Sequence, residues 1–190
     1  MKRPLLLDLF CGAGGAAMGY YNAGFRVIGV DVNPMPRYPF EFHQYDAFDF
    51  LEAYGHGFDA IHASPPCQHY SDLAHRNGNA DDWPDLLSDV RIALASAGRP
   101  YVIENVEGAP LSNPIWLCGV QFPGLRVIRH RGFESNFSIP SLPHEKHPLV
   151  YPRDKRKSHY GELEQTTSFV SVNGGGNCSV AAASRAMSIG

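Results

Sequence analysis

The stretch PLLLDLF (residues 4–10), running directly into CGAGG (11–15), constrains the fold more than any other part of the chain. Five of its seven residues are Leu or Phe, and it is too short for a buried helix. It therefore reads as a strand buried on both faces of a parallel sheet. The glycines that follow permit positive φ and close backbone approach, and they lead into a small-residue helix over 16–23 closed by Gly24. FRVIGVDVNP is a second strand ending near Asp31 and stopped by Asn33-Pro34. A third short strand around Phe42 to Tyr45 ends at Asp46, followed by a short helix in AFDFLEAYG and a fourth strand in FDAIHAS. Residues 83–97 place Leu86, Leu87, Val90, Ala93 and Leu94 on one helical face. Pro100 breaks that helix, and YVIENV is a fifth strand. Strand–helix alternation of this kind specifies an α/β fold with a mostly parallel sheet. From residue 107 the periodicity fades: LCGVQF and RVIRHRGF are expected as strands, 138–160 as a Pro-, His- and Lys-rich loop, and NGGGN as a flexible turn.

A chain of 190 residues is long enough for one domain with a real core. It contains no run of 18 apolar residues, so no membrane span is expected. The opening MKRPLLL is not read as a signal peptide, because Asp8 interrupts the apolar run and a glycine cluster follows. Cys11, Cys67, Cys118 and Cys178 are scattered without a CxxC pair, as in free thiols of a reducing cytoplasm. Zinc-ligand spacing is absent, and His144 and His147, flanked by Pro143 and Pro148, are expected in a solvated loop; no metal is expected. Charge is unevenly spread. Residues 1–125 carry 7 Lys/Arg against 14 Asp/Glu, a net of −7, whereas 126–160 carry 8 against 3, a net of +5. An acidic body with one basic segment points to a local polyanion contact.

The polar residues gather where strands end, which is where ligands sit in open α/β sheets. Asp8 precedes the loop Phe10-Cys11-Gly12-Ala13-Gly14-Gly15, whose glycines and following helix start offer backbone N–H groups. Asp31 ends the second strand, about 20 residues on, where an acid accepts from ribose hydroxyls. Asp46 ends the third, where it can accept from the exocyclic amine of an adenine; helix capping or loop solvation is the alternative for both acids. The loop lacks the close-packing third glycine of GxGxxG, which argues against a nicotinamide dinucleotide. The stretch ASPPCQHYSDL (63–73) puts Cys67 on a loop stiffened by Pro65 and Pro66, just past the fourth strand. Glu104-Asn105 ends the fifth. A thiolate adds to an electron-poor ring carbon more readily when a nearby acid engages a ring nitrogen.

In these residues the chain resembles the cytosine-C5 DNA methyltransferases. LLDLFCGAGG resembles the family's first motif, GVDVNP the second, YDAF the third, PPCQHYS the catalytic loop, ENV the strand that meets the target base, and RHRGFE the arginine pair beside it. The resemblance covers roughly residues 4–134, in order. It implies a Rossmann-like S-adenosylmethionine-dependent methyltransferase fold with a reduced target-recognition region. It implies S-adenosylmethionine as cofactor, held by Asp8, Phe10, Gly12, Ala13, Gly14, Asp31, Val32, Asp46, Ala47 and Pro65. Catalysis would fall to Cys67, Glu104, Arg129 and Arg131, acting on a cytosine flipped out of double-stranded DNA. Gln68 and Ser71 would position the loop or touch phosphate, and Arg153, Lys155, Arg156 and Lys157 would bind DNA. The expected division is 1–134 for the catalytic core, 135–165 for a small basic recognition region, and 166–190 for a segment returning to the core and incomplete relative to the family's last motif. A monomer in the cytoplasm of a bacterium or phage-infected host, in a restriction–modification setting, is the expected context. His69 and Tyr70 depart from the family's loop; His69 either contacts phosphate or cofactor or stiffens the loop. Three other readings stay open: a tRNA cytosine-C5 methyltransferase, a catalytically inactive DNA-binding remnant, and, least favoured, a nicotinamide oxidoreductase.

Overall fold

The run LLLDL forms the central strand β1 (Leu5–Leu9), with Leu6, Leu7 and Leu9 at 1% exposure or less. The computed structural model describes residues 2–71, 75, 78, 80–125, 127–144, 146–147 and 170–171. Strands β2 (Arg26–Asp31), β3 (Glu41–Gln44), β4 (Ala60–Ala63), β5 (Tyr101–Asn105), β6 (Ile115–Cys118) and β8 (His130–Ser135) complete a seven-stranded sheet in the order β3-β2-β1-β4-β5-β8-β6. The pairs β1–β2, β1–β4, β2–β3 and β4–β5 are parallel, and β8 runs antiparallel to β5 with Glu104 opposite Phe133. The fold is thus a Rossmann-like α/β architecture with a mostly parallel sheet, as expected.

Alternation along each strand sorts side chains into two layers. On one face Leu7, Leu9, Ile28, Val30, Ile61, Ala63 and Ile103 pack against helices α2 (Ala47–Tyr54) and α3 (Leu87–Ala97) through Phe50, Leu51, Leu87, Val90 and Leu94. Fully burying each such leucine is worth about 1.5–3 kcal/mol. On the other face Leu6 and Val27 pack against Ala17 of α1 (Gly15–Asn22). Gly14 is required where it stands: its φ is +85°, and a Cβ there would lie 2.7 Å from Pro39 Cδ.

Several boundaries differ from those expected. α3 begins at Leu87 rather than residue 83, because Pro84 and the Asp85 carboxylate, which accepts from Leu87 N and from the Tyr70 hydroxyl, keep the approach out of the helix. The strand expected in LCGVQF ends at Cys118 and turns over Gly119–Gln121, since the Gln121 side chain takes the Cys118 N–H at 2.6 Å.

The chain divides into two compact units. The first comprises Met1–Ile115 and Gly132–Pro140 and holds β1–β5, α1, α2 and α3. The second comprises Trp116–Arg131 and Ser141–Gly190. It contains the Gly119–Gln121 turn and a parallel pair of short strands, β7 (Val127–Ile128) and β9 (Val170–Ser171). There Gly119 is needed for close approach, because a Cβ would meet Val127 O at 2.2 Å.

Candidate active site

The strand order reverses between β1 and β4: β2 and β3 lie to one side, β5 to the other. Loops leaving the C-terminal ends of β1 and β4 therefore part at this point, opening the crevice where open α/β sheets take their ligands. The loop after β1 has Phe10, Gly12 and Gly14 at φ of 56°, 50° and 85°. Its Gly12 N–H donates to Asp31 Oδ2 at 3.1 Å, and Asp31 Oδ1 accepts from the Asn33 backbone and side chain. Asp31 is thus held at the mouth of the crevice beside Val32, which is 64% exposed. No side chain caps the N-terminus of α1, so its first N–H groups are offered outward from Gly14, with Ala13 exposed in the same turn. Phe10 packs edge-on against Phe48. Asp46 is the N-cap of α2, its Oδ1 accepting from Phe48 N and Asp49 N, with Ala47 buried behind it.

Beneath the glycine loop lies a buried polar cluster. Asp8, expected to line a cofactor pocket directly, is 1% exposed and accepts from the Tyr38 hydroxyl at 3.1 Å. Burial pushes its carboxyl up to about 7. Burial, with the nearby Asp8 and Asp31 charges, pushes the Cys11 thiol up to about 12, so Cys11 stays a protonated core residue. His62 bonds Tyr20 through Nδ1 (3.1 Å) and Ser64 through Nε2 (2.8 Å), and burial lowers its pKa to about 4, leaving it neutral. Sequence reasoning did not single out Tyr38, Tyr20 or His62. Tyr38 sits in a proline-rich connection with no periodicity, and the only signal was Gly29, where a Cβ would strike the Tyr38 ring at 2.2 Å.

The loop after β4 is anchored at both ends. Ser64 N donates to Leu9 O, and Pro65, which is buried, accepts at its carbonyl from Asn105 Nδ2 at 3.2 Å. Asn105 is 1% exposed and its Oδ1 takes the Val106 N–H, so this amide is fixed and spans the ends of two adjacent strands. Cys67, half-buried, heads a single turn over Gln68–Tyr70. Tyr70 N bonds Cys67 O, and Ser71 bonds Gln68 O through both its N–H and its hydroxyl. Gly108 lets the loop after β5 press on this turn, since a Cβ there would lie 2.3 Å from Tyr70 O. His69 Nδ1–H donates to Trp83 O at 3.2 Å, which stiffens the loop. Gln68 Oε1 is buried and makes no hydrogen bond. Glu104 precedes Asn105 on β5, and strand alternation puts it on the opposite face from Ile103 and Asn105.

Arg129 and Arg131 belong to the second unit, where Arg131 donates to His130 O at 2.9 Å. Arg153, Lys155, Arg156 and Lys157, and the segment 166–190 apart from β9, lie outside the described residues. His144 and His147, expected in a solvated loop, instead converge with Cys118 and His130. A further network was not anticipated: Glu134, 3% exposed, takes a bidentate contact from Arg91 (2.6 and 2.9 Å) and the Ser112 N–H (2.7 Å).

Comparison with known proteins agrees with this geometry. Residues 5–113, more than half of the chain, match the family described as C-5 cytosine-specific DNA methylase. Type II methyltransferase M.HgiGI of Herpetosiphon aurantiacus is 30% identical over 117 residues, 56% of this chain and 93% of that protein. M.HgiDI of the same organism is 29% identical over 117 residues, but there the match spans only 38% of the relative's length. Among solved structures, the Entamoeba histolytica methyltransferase EhMeth shares the fold with a TM-score of 0.52 at 16% identity, over 77% of this chain and 58% of that one.

Proposed function

The chain belongs to the C-5 cytosine-specific DNA methylase family, and on that premise we propose that it transfers a methyl group from S-adenosylmethionine to C5 of cytosine in double-stranded DNA through a covalent Cys67 adduct. The residues of the crevice fit the cofactor. Gly12 has nothing within 4 Å of where a side chain would stand, leaving room for a ligand against the backbone. Asp31 offers carboxylate oxygens suited to ribose hydroxyls, and the uncapped start of α1 suits the carboxylate of the methionine portion. Phe10, Ala13, Gly14, Val32, Asp46, Ala47 and Pro65 line the remainder, and Asp8 supports the glycine loop from below. When bound, S-adenosylmethionine supplies an electrophilic methyl on a sulfonium.

The chain's own groups do the rest. A cytosine inside the stack cannot be reached, so it is extruded into the crevice. The Cys67 sulfur bonds to C6 while Glu104 hydrogen-bonds the N3 and amino edge, which makes C5 nucleophilic. After C5 is methylated, its proton is removed and the S–C6 bond breaks, restoring both aromatic ring and thiolate. Arg129 and Arg131 support the base and its phosphate, and Gln68 and Ser71 position the loop or touch phosphate. On this reading residues 1–134 carry catalysis and 135–165 meet the target. The relatives' printed names, Type II methyltransferases, support a restriction–modification setting; a bacterial or phage-infected cytoplasm and a monomeric enzyme belong to the same proposal.

The observation that carries this reading is the Asn105–Pro65 hydrogen bond. It ties the loop bearing Cys67 to the end of the strand bearing Glu104. The test is adduct trapping. With S-adenosylmethionine and duplex DNA containing 5-fluorocytosine, the wild type should give a complex stable to denaturing electrophoresis. Cys67→Ala should give none and should lose methylation, because the nucleophile itself is gone. Full methylation by Cys67→Ala would remove the nucleophile assignment. Adduct on tRNA but not on DNA would move the substrate to RNA, and normal DNA binding without any adduct would identify an inactive remnant.

A further inference from the structure

The second unit brings four side chains together that the sequence keeps far apart. Cys118 ends β6, His130 starts β8, and His144 and His147 lie in the segment beyond residue 141. One ligand-capable atom from each lies within 4.8 Å of the other three. The printed separations are Cys118 Sγ to His147 Nε2, 3.6 Å, His147 Nε2 to His144 Nε2, 3.3 Å, and His144 Nε2 to His130 Nε2, 3.2 Å.

Hydrogen bonding within the cluster cannot account for all three contacts. An imidazole nitrogen holds either one proton or one lone pair in the ring plane. The Nε2 of His144 meets two nitrogens, and that of His147 meets one nitrogen and the sulfur. If the thiol donates to His147 and His144 donates to His130, nothing joins His147 to His144. Any other assignment likewise forms at most two two-centre bonds, so the third contact must share a proton or a lone pair already engaged. A single cation at the centre removes the conflict, because all four lone pairs then point inward. The size is also right. With Zn–S of about 2.3 Å and Zn–N of about 2.05 Å, a tetrahedral site has edges of about 3.6 Å for S···N and about 3.3 Å for N···N.

We propose that Cys118, His130, His144 and His147 form a tetrahedral zinc site. Four protein ligands fill the coordination sphere, which marks the site as structural and separates it chemically from methyl transfer. Binding expels the Cys118 thiol proton, leaving one thiolate and three neutral imidazoles around the divalent ion. The surroundings are built for this. The Gln121 backbone N–H donates to the Cys118 sulfur and fixes its direction. The Gln121 side chain accepts from Cys118 N and donates to Leu142 O (3.0 Å) and Pro143 O (3.2 Å), so one residue clamps the cysteine turn to the segment that delivers both later histidines. The ion would staple β6, β8 and the segment around residue 144 in a unit whose described secondary structure is otherwise short.

The experiment is metal analysis of the purified full chain grown with zinc, followed by replacement with cobalt(II). The wild type should retain about one zinc per chain after gel filtration, and its cobalt form should show the intense visible bands of a tetrahedral ion with a thiolate charge-transfer band. Cys118→Ser should abolish the charge-transfer band. Should that buried change prevent folding, His144→Ala at an exposed position serves instead and should lose the bound zinc, with 5-fluorocytosine adduct formation tracking folding separately. A metal-free wild type with no tetrahedral cobalt spectrum, or a His144→Ala protein holding zinc as tightly as wild type, overturns the proposal. Neither result bears on the methyl-transfer reading, whose test does not depend on metal content.

Discussion

Asp8 is the most expensive residue in the central strand. It stands in a run of leucines, 1% exposed, with one carboxylate oxygen bonded to Tyr38 and the other buried without a partner. Desolvation dominates its titration: burial raises the carboxyl from 3.8 to about 7, the Asp31 charge adds to this, and the Tyr38 hydroxyl offsets only part. Because the folded pKa lies above the unfolded one, the native state holds the proton more tightly. The resulting stabilisation is complete below about pH 4 and is lost as pH rises through about 7. Wild-type stability should therefore fall between pH 5 and pH 8, by about 2–4 kcal/mol from this group. Asp8→Asn keeps an acceptor for Tyr38 and removes the titration, so it should leave stability at pH 5 nearly unchanged and raise it at pH 8. Urea melts at the two pH values check this, and an equally steep decline in the variant would place the pH dependence elsewhere. The same burial separates the two cysteines nearest the crevice. Cys11 is sealed in the core with its thiol pushed up, whereas Cys67 is half-buried on its loop.

At the scale of elements, β8 and α3 are joined by a partly buried ion pair, Arg91 with Glu134. Burial would raise the Glu134 carboxyl, but Arg91 and the Ser112 N–H outweigh it and hold it below its ordinary value. A depressed folded pKa gives stability that is present above the unfolded value and lost as pH falls through the folded one. Glu134→Gln leaves Arg91 facing an uncharged amide. Breaking a buried pair costs about 3–5 kcal/mol; because the Arg91 side chain keeps 30% exposure, about 2–3 kcal/mol is expected here. Denaturant melts should show that loss at pH 7 and a smaller one at pH 3, and an Arg91→Ala, Glu134→Gln double variant should lose less than the two singles combined. The sequence concealed this pair because RHRGFE alternates as a half-exposed strand would, and Glu134 reads as its solvent side. Elements with strong local signals were legible: β1 from its leucines, β2 from its stop at Asn33-Pro34, α2 from Asp46 and the apolar face behind it. The placement of the candidate groups was legible for the same reason, since they sit at or shortly past the C-terminal ends of strands that announce themselves. What escaped were contacts between distant segments. The start of α3 is set by Tyr70 reaching Asp85, and the end of β6 by the Gln121 side chain. The four ligands at 118, 130, 144 and 147 lie 12, 14 and 3 residues apart, a spacing that becomes a site only when a strand, a turn and a loop meet.

At the scale of the whole molecule, charge decides how a polyanion would be met. The body up to residue 125 is acidic, with a net of −7, so duplex DNA approaching at random is repelled. Residues 126–160 reverse the sign with a net of +5, and four of their cations fall at 153, 155, 156 and 157. On the proposed reading this segment supplies the phosphate contacts, and the acidic remainder limits non-specific engagement by the rest of the surface. Each phosphate contact releases about 0.9 of a counterion, so four such contacts contribute about 3.6 to the slope of log Kobs against log salt. Replacing Arg153, Lys155, Arg156 and Lys157 by Gln should therefore weaken duplex binding most at low salt and lower that slope by up to this amount. Intrinsic reactivity should survive: at saturating DNA the variant should still form the 5-fluorocytosine adduct, because Cys67 and its anchor at Asn105 are untouched. Fluorescence anisotropy on a labelled duplex across a salt series measures the slope directly. A slope equal to wild type would show that these side chains stay in solvent when DNA binds, and the electrostatic contact would then have to be sought at Arg126, Arg129, Arg131 and Lys146.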